Sequence, residues 1–521
     1  MSNGMISWRN YEGMSGFAGN ASQGDVDALN KALDAGSQIS RPASPTAGDG
    51  FSLRVESLEQ TLKNTTFRME HIRLWKAIPK IPAYNTVEEY NQIQSYSNNQ
   101  FSSFVTEGQL PVSTDATYRR QYAKIKFMGT QRSVSHVMSM VKPAHGNVIA
   151  QETIAGTMYL LEQLERHLFT GDASMTNTNQ NAEGLEFDGL EKLIFPGSSI
   201  AGGFGSGPPN GTQPLADHVI DLRGAPLSED NIIDGALTIS DAPAYGRPTH
   251  LFLNPKAHSD LAKSFFPKAR YDVFQKQDNG IAGMTLGGVT TQAGVVALEP
   301  DVFIDEGPAF AGIGAGGVGV AVTAGGPPAL PTVTVAAAAA VLPAVSQWAT
   351  GTGDHDAGTY FWAIQAVNEF GASNVSVAGT TAAPVAGDSV TLTITPGENI
   401  TATTSARYFN IFRSKRGGLN ADLFYVGRVA NDAVAGVPAP LAAYQDVNQN
   451  LPQTSKGYML QLDPSNISFA QLAPMVKIPL ATVDSSIRWM QLLYGAMKVY
   501  TPRHNVLYKN VGRAAGFVGA P

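Results

Sequence analysis

Ile154, Met158, Leu161, Leu164 and Leu168 recur at the spacing of one helical face, which predicts a helix over residues 149–170. Glu162 stands four residues before Arg166, a favourable pair on such a helix, and Gly171 is placed to end it. Further helices are predicted over 227–239, capped by Ser228, and over 255–263, with Pro255 in the first turn. The apolar run 249–254 between them reads as a buried strand. Between Ser57 and Pro82 the pattern predicts a short helix and then an extended arm, since Pro79 and Pro82 bias their predecessors away from the helical basin. Thr86 and Glu89 have capping-box spacing, which predicts a short helix over 86–90.

Period-two patterns take over elsewhere. Ala123, Ile125 and Phe127 alternate with Lys124, Lys126 and Met128, Gly129-Thr130 reads as a turn, and Val134, His136, Met138 and Met140 alternate on the return. So long a hairpin with few large apolar residues cannot bury itself and needs another surface. Residues 308–345, rich in Gly, Ala and Pro, read as a linker. After it, Tyr360, Trp362, Ile364 and Ala366 alternate, 368–371 turn, and Thr391, Thr393 and Thr395 alternate again. With 408–413 and 423–426 they predict a small β-sandwich. Strands of a different style return from Gly457 and end with Trp489–Tyr500, so the sandwich reads as an insertion in a parent fold. Residues 1–50, with one short helix predicted around 25–35, form a polar tail without a core of its own.

Composition narrows the function classes. Only 15% of the 521 residues are charged, against about 25% in an average soluble protein, which suggests a surface largely covered by partners. A net charge of −7 argues against a polyanion binder along the whole chain. With no cysteine there are no disulfides, thiolate metal sites or cysteine nucleophiles. No run of 18 apolar residues predicts a membrane-spanning helix, and no secretory signal is read in the first thirty residues. No two of the nine histidines lie three to five residues apart. Asp354-His355-Asp356 reads as a solvated loop, and Gly312, Gly314 and Gly317, which match G-x-G-x-x-G, lead into Gly325-Gly326-Pro327-Pro328 and read as linker. No carboxylate spacing selects a catalytic pair. The expectation is a non-enzyme with no catalytic residue, metal or cofactor.

Charge is unevenly placed. Residues 112–142 carry six bases (Arg119, Arg120, Lys124, Lys126, Arg132, Lys142) and one acid, whereas 151–191 carry eight acids, among them Glu152, Glu162 and Glu165, and one base. One reading is two solvated faces of one molecule. A sharper one is an inter-subunit contact in which Arg119, Arg120, Lys124, Lys126 and Arg132 cross Glu152, Glu162 and Glu165 of a neighbouring copy, opposite charges setting the register. A third is nucleic-acid binding, with Tyr118 and Tyr122 among the bases.

The order of parts is a loose arm, a long hairpin, a long acidic helix, a mixed α/β unit and late strands. It resembles the major capsid proteins of tailed bacteriophages, the Hong Kong 97-type fold also used by encapsulins. The stretches that carry the resemblance are 56–59 through 75–79 and 83–90, then 161–172 leading into Asp188-Gly189-Leu190, then 248–255, and lastly 463–469 running on to 489–500. The resemblance implies an α+β chain. Its parts would be an N-terminal arm (1–100), an extended loop (101–141), a peripheral domain with a spine helix (142–220), an axial domain and linker (221–329) and returning strands (453–521). Residues 330–452 resemble the Ig- or fibronectin-like insertions of some phage capsids. The implied function is a structural protein that self-assembles into hexamers and pentamers of an icosahedral head around double-stranded DNA. Its partners would be neighbouring capsid subunits, portal, scaffold and decoration proteins, and packaged DNA held without sequence specificity; no membrane is involved. The chain would reside in the virion, and in the host cytoplasm during assembly. In some relatives a loop lysine is crosslinked to an asparagine, for which Lys124 or Lys126 would be candidates. Alternatives are an encapsulin-like compartment shell, a tail or fibre adhesin, and a carbohydrate-active enzyme with a fibronectin-like module.

Overall fold

The computed structural model describes residues 68–97, 104–141, 146–175, 184–194, 218–273, 287–304, 330–339, 346–396, 406–418, 423–431 and 442–514, apart from a few short breaks, together with 66 and 309–310. The expected helix at 25–35, the glycine motif at 312–317 and the candidate Lys142 lie outside the described residues. Contacts divide the chain into two units, one of 1–65 with 141–148 and one of 66–140 with 149–521. Among the described residues every sheet lies in the second unit.

The long helix is Val148–Thr170. Leu161, Leu164 and Leu168 are buried as their spacing predicts, joined by Leu160 and Phe169, whereas Ile154 near its start is exposed. The chain must turn sharply after it. Gly189 N–H donates to Gly171 O at 2.8 Å, and a Cβ on Gly171 would lie 2.5 Å from the Phe187 carbonyl oxygen. Only glycine permits that approach.

Two sheets form the body. The first runs Lys80–Pro82, Ile467–Pro479, Ser486–Val499, Lys126–Ser135; its first pair is parallel and the others antiparallel. The long helix lies on it, with Gln491 Nε2 donating to Thr153 O at 2.8 Å and Lys477 Nζ to Thr153 Oγ1 at 2.9 Å. The second runs Val219–Asp221, Val506–Val511, Ser455–Leu460, His250–Leu253, Gly294–Pro300, Gly288–Thr291. Helices Glu229–Ser240 and Pro255–Val273 flank it. Ser228 caps the former as predicted, its Oγ accepting from Asn231 N–H at 3.3 Å. One core joins the first sheet, the long helix and Ile72, Leu74 and Ile78; Ile232, Ala236, Leu261 and Tyr508 belong to a second.

The inserted segment is a two-sheet unit. Thr332–Ala339, Asp388–Thr395 and Ala442–Asp446 make one sheet; Tyr360–Asn368, Tyr408–Ser414 and Leu423–Ala430 are the main strands of the other. Trp348, Tyr360, Trp362, Leu392, Phe409 and Tyr444 pack between them.

Four expectations change. Residues 86–90 are not helical: Val87–Ser95 is a strand paired antiparallel with Thr117–Lys124, and cross-strand pairing outweighs the local cap. Gly129-Thr130 is not a turn, because Lys126–Ser135 runs straight through it beside Ser486–Val499. A Cβ at Gly129 would meet Leu492 Cδ2 at 2.5 Å, so this glycine marks close packing within a strand. His136–Met140 is a short helix rather than a returning strand. Thr332–Ala339, read as linker, is a full strand in register with Asp388–Thr395.

Candidate inter-subunit surface

The antiparallel pair Val87–Ser95 and Thr117–Lys124 is a two-stranded ribbon, and it sorts its side chains into two faces. Directly opposed residues share a face. Glu88, Tyr90, Gln92, Arg119, Gln121 and Ala123 are half-buried. The Tyr90 ring meets that of Tyr500 edge-on at 5.0 Å, Gln92 Nε2 donates to Tyr500 O, and Glu88 lies 3.5 Å from Lys498 Nζ. Burial beside Tyr500 pushes the Tyr90 hydroxyl up to about 12, so it stays neutral and apolar in character.

The other face carries the pairs Val87–Lys124, Glu89–Tyr122, Asn91–Arg120 and Ile93–Tyr118, every member exposed. Tyr118 is 69% and Tyr122 65% exposed. In the connecting loop Phe104 is 97% and Leu110 93% exposed. Large apolar side chains uncovered on a two-stranded ribbon are costly in water and suit a surface that another molecule covers.

The charged candidates are distributed differently from the expected cross. Arg120 pairs with Glu89 on the ribbon itself at 3.2 Å. Lys124 is exposed on the outer face and Arg119 half-buried on the inner one. Lys126 donates to the Gly184 carbonyl of its own chain. Arg132 lies 3.6 Å from Glu152, so one basic strand residue meets the acidic helix within a single chain. Glu162 pairs with Arg166 at 3.4 Å. Glu165 is fully buried, its carboxylate accepting from the backbone N–H groups of Arg73, Leu74 and Trp75, so it offers nothing to another copy. It sits one helical step from Leu161, Leu164 and Leu168, and that adjacency was the available signal.

Sequence reading missed Val87, Ile93, Phe104 and Leu110 on this surface. The period-two pattern Val87, Glu89, Asn91, Ile93 was present, masked by the capping-box spacing. Among the described residues no group of three or more His, Asp and Glu could hold a metal ion, and no helix is long and apolar enough to cross a membrane.

No protein-family model matches the chain. It is 24% identical over 473 residues to the major capsid protein of Staphylococcus phage K, covering 89% of this chain and 91% of that protein. The chain is homologous to phage major capsid proteins. Among solved structures it is similar to the capsid of the native GTA particle (TM-score 0.41, 6% identity, 91% of this chain and 100% of the other). It is also similar to the capsid of Myoviridae phage XM1 (TM-score 0.39, 6% identity, 87% and 96%). The match thus extends over most of both sequences rather than over one short segment.

Proposed function

We propose that this chain is the shell-forming major capsid protein of a tailed phage. Its copies build hexamers and pentamers of an icosahedral head, and the ribbon's outer face lies against a neighbouring copy. The observation that carries the reading is sequence likeness to phage major capsid proteins over nine tenths of both chains. The ribbon supports it, because its aromatic outer face is exposed and finds no cover among the described residues of the unit that bears it. The parent fold is of the Hong Kong 97 type, with the arm, peripheral, axial and returning segments divided as the sequence suggested, and the inserted unit is an Ig-like decoration. The protein is structural rather than catalytic. Double-stranded DNA on the inner wall, portal and scaffold proteins complete the assembly. A net charge of −7 suits a wall that must not trap DNA.

The test is to express the full chain and image it by negative-stain electron microscopy. Closed shells or capsomers are expected, with the portal and scaffold supplied where the chain alone gives capsomers only. A chain that remains monomeric at high concentration with those partners present would overturn the reading.

A further inference from the structure

Glu165 and Asp301 are both fully buried. Glu165 comes from the long helix, and Asp301 directly follows strand Gly294–Pro300. Their carboxyl groups act on each other at short range. Glu165 Oε1 accepts from Arg73 N–H at 2.9 Å and Leu74 N–H at 2.6 Å, and Oε2 from Trp75 N–H at 3.0 Å. It thereby holds the first turn of the short helix Leu74–Ala77, whose neighbours Ile72, Leu74 and Ile78 plug the core. Asp301 Oδ1 accepts from Phe303 N–H at 2.8 Å, and Oδ2 is buried with no ordinary donor. Two facing acceptors, one of them orphaned, are satisfied together by a single shared proton.

The cations nearby are engaged elsewhere. On the short-helix side, the Arg73 guanidinium, whose charge favours an ionised Asp301, is bonded to Glu299, and Lys76 Nζ donates to Met69 O. Lys80, on the first sheet, donates to Trp75 O and sits 4.4 Å from the Trp75 ring centre; it feels the Glu165 charge without pairing. On the second sheet, His250 is held towards its neutral form by burial, against the pull of Glu299. On the long helix, Glu162 and Arg166 pair with each other, and His167 faces Glu186.

We propose that Glu165 and Asp301 form a proton-dependent latch, which fastens segment 73–75 to the long helix when a proton is shared between them and loosens when it is lost. Burial is the main force that raises both groups, and it takes Glu165 up to about 8, with the Asp301 charge adding to the effect. In the open segment Glu165 meets water and returns to its ordinary value of 4.5. Between these values the closed form keeps its proton and the open form does not. Opening therefore rises about tenfold per pH unit, for one proton, and levels off above about pH 8.

Hydrogen–deuterium exchange on the full chain, corrected for intrinsic exchange, reads this at the amides of Arg73, Leu74 and Trp75. The wild-type slope is expected between about pH 5 and pH 8, with a plateau beyond. Asp301→Asn removes the second acid and supplies an amide N–H to Glu165, so its slope is expected to end at lower pH than in the wild type, burial alone still raising Glu165. Glu165→Gln, a second variant should the first not fold, is flat, with weaker protection. Infrared spectroscopy of the wild-type chain at neutral pH should show a buried protonated carboxyl band. A flat wild-type profile, a slope unchanged in Asp301→Asn or surviving in Glu165→Gln, or the absence of that band overturns the latch.

Discussion

The inserted sandwich and the ribbon are written in the same alternating code and reach opposite ends. In the sandwich, Tyr360, Trp362, Phe409 and Ile411 point at Val390, Leu392, Ile394 and Tyr444 of a facing sheet, and all are buried. Its deepest ion pair among the described residues is bonded at most of its atoms: Arg413 Nη1 donates to Asp446 Oδ2 at 2.7 Å, Nη2 to Asn448 Oδ1 at 2.8 Å, and Trp362 Nε1 to Asp446 Oδ2 at 3.0 Å, while Arg413 Nε is buried without a partner. In the ribbon, Tyr118, Tyr122 and Ile93 alternate just as regularly and face outward, exposed, with nothing above them among the described residues of their unit. Alternation states that a face is apolar. Whether that face is covered from within depends on a second layer, and two strands cannot provide one.

The largest expected effect breaks this contrast at the ribbon. Replacing Ile93, Tyr118 and Tyr122 together by serine should abolish shells in electron micrographs. The same change should shift the stability of the isolated chain by no more than about 0.5 kcal/mol, as for substitutions outside a core. Shells that form normally would show that another surface drives assembly. The converse experiment is Trp362→Ala in the sandwich, expected to cost about 3–5 kcal/mol and visible as early loss of the near-ultraviolet aromatic signal on heating. Equal sensitivity at the two places would erase the distinction.

The sandwich is also clamped to the body. Arg428 donates to both oxygens of Glu186, at 2.9 and 2.7 Å, and to Thr170 O at 2.7 Å. Arg428→Met should cost about 3 kcal/mol, because it strands a buried carboxylate. Burial alone would raise Glu186, but Arg428 and His167 outweigh it and hold the carboxyl well below the usual carboxylate range. A depressed carboxyl contributes stability above its ordinary value of 4.5 and loses it as the pH falls below that. Urea unfolding from pH 6 down to pH 3 should show this decline in the wild type, and a shallower one in Arg428→Met. The smallest effect is Ser228→Ala, about 1 kcal/mol for a lost helix cap, read from the urea midpoint and expected to leave shell formation intact.

Much of the body was legible in advance. The leucine spacing located the long helix, Ser228 located the start of another, and the aromatic alternation from Tyr360 located the inserted strands. Three failures share a cause. Thr86 with Glu89 looked like a cap, Gly129-Thr130 like a turn, and 332–339 like linker, because each local signal is worth about 1 kcal/mol. In each case a partner strand distant in sequence outweighed it: Thr117–Lys124, Ser486–Val499 and Asp388–Thr395 respectively. The candidate surface was legible as a place and not as a set of contacts. Arg132 reaches Glu152 within one chain, and Glu165 turns inward.

By itself, then, the sequence determined where the long helix and the strongly alternating inserted strands lie, that cysteine chemistry is absent, and that charge is segregated between 112–142 and 151–191. These are properties of near neighbours along the chain. Only the tertiary structure decided which apolar faces are roofed, which charges meet at home, and that two acids from 165 and 301 share one buried site. Burial and pairing depend on residues well separated along the chain, from Arg132 with Glu152 to Thr153 with Gln491, and no local pattern records which of those come together.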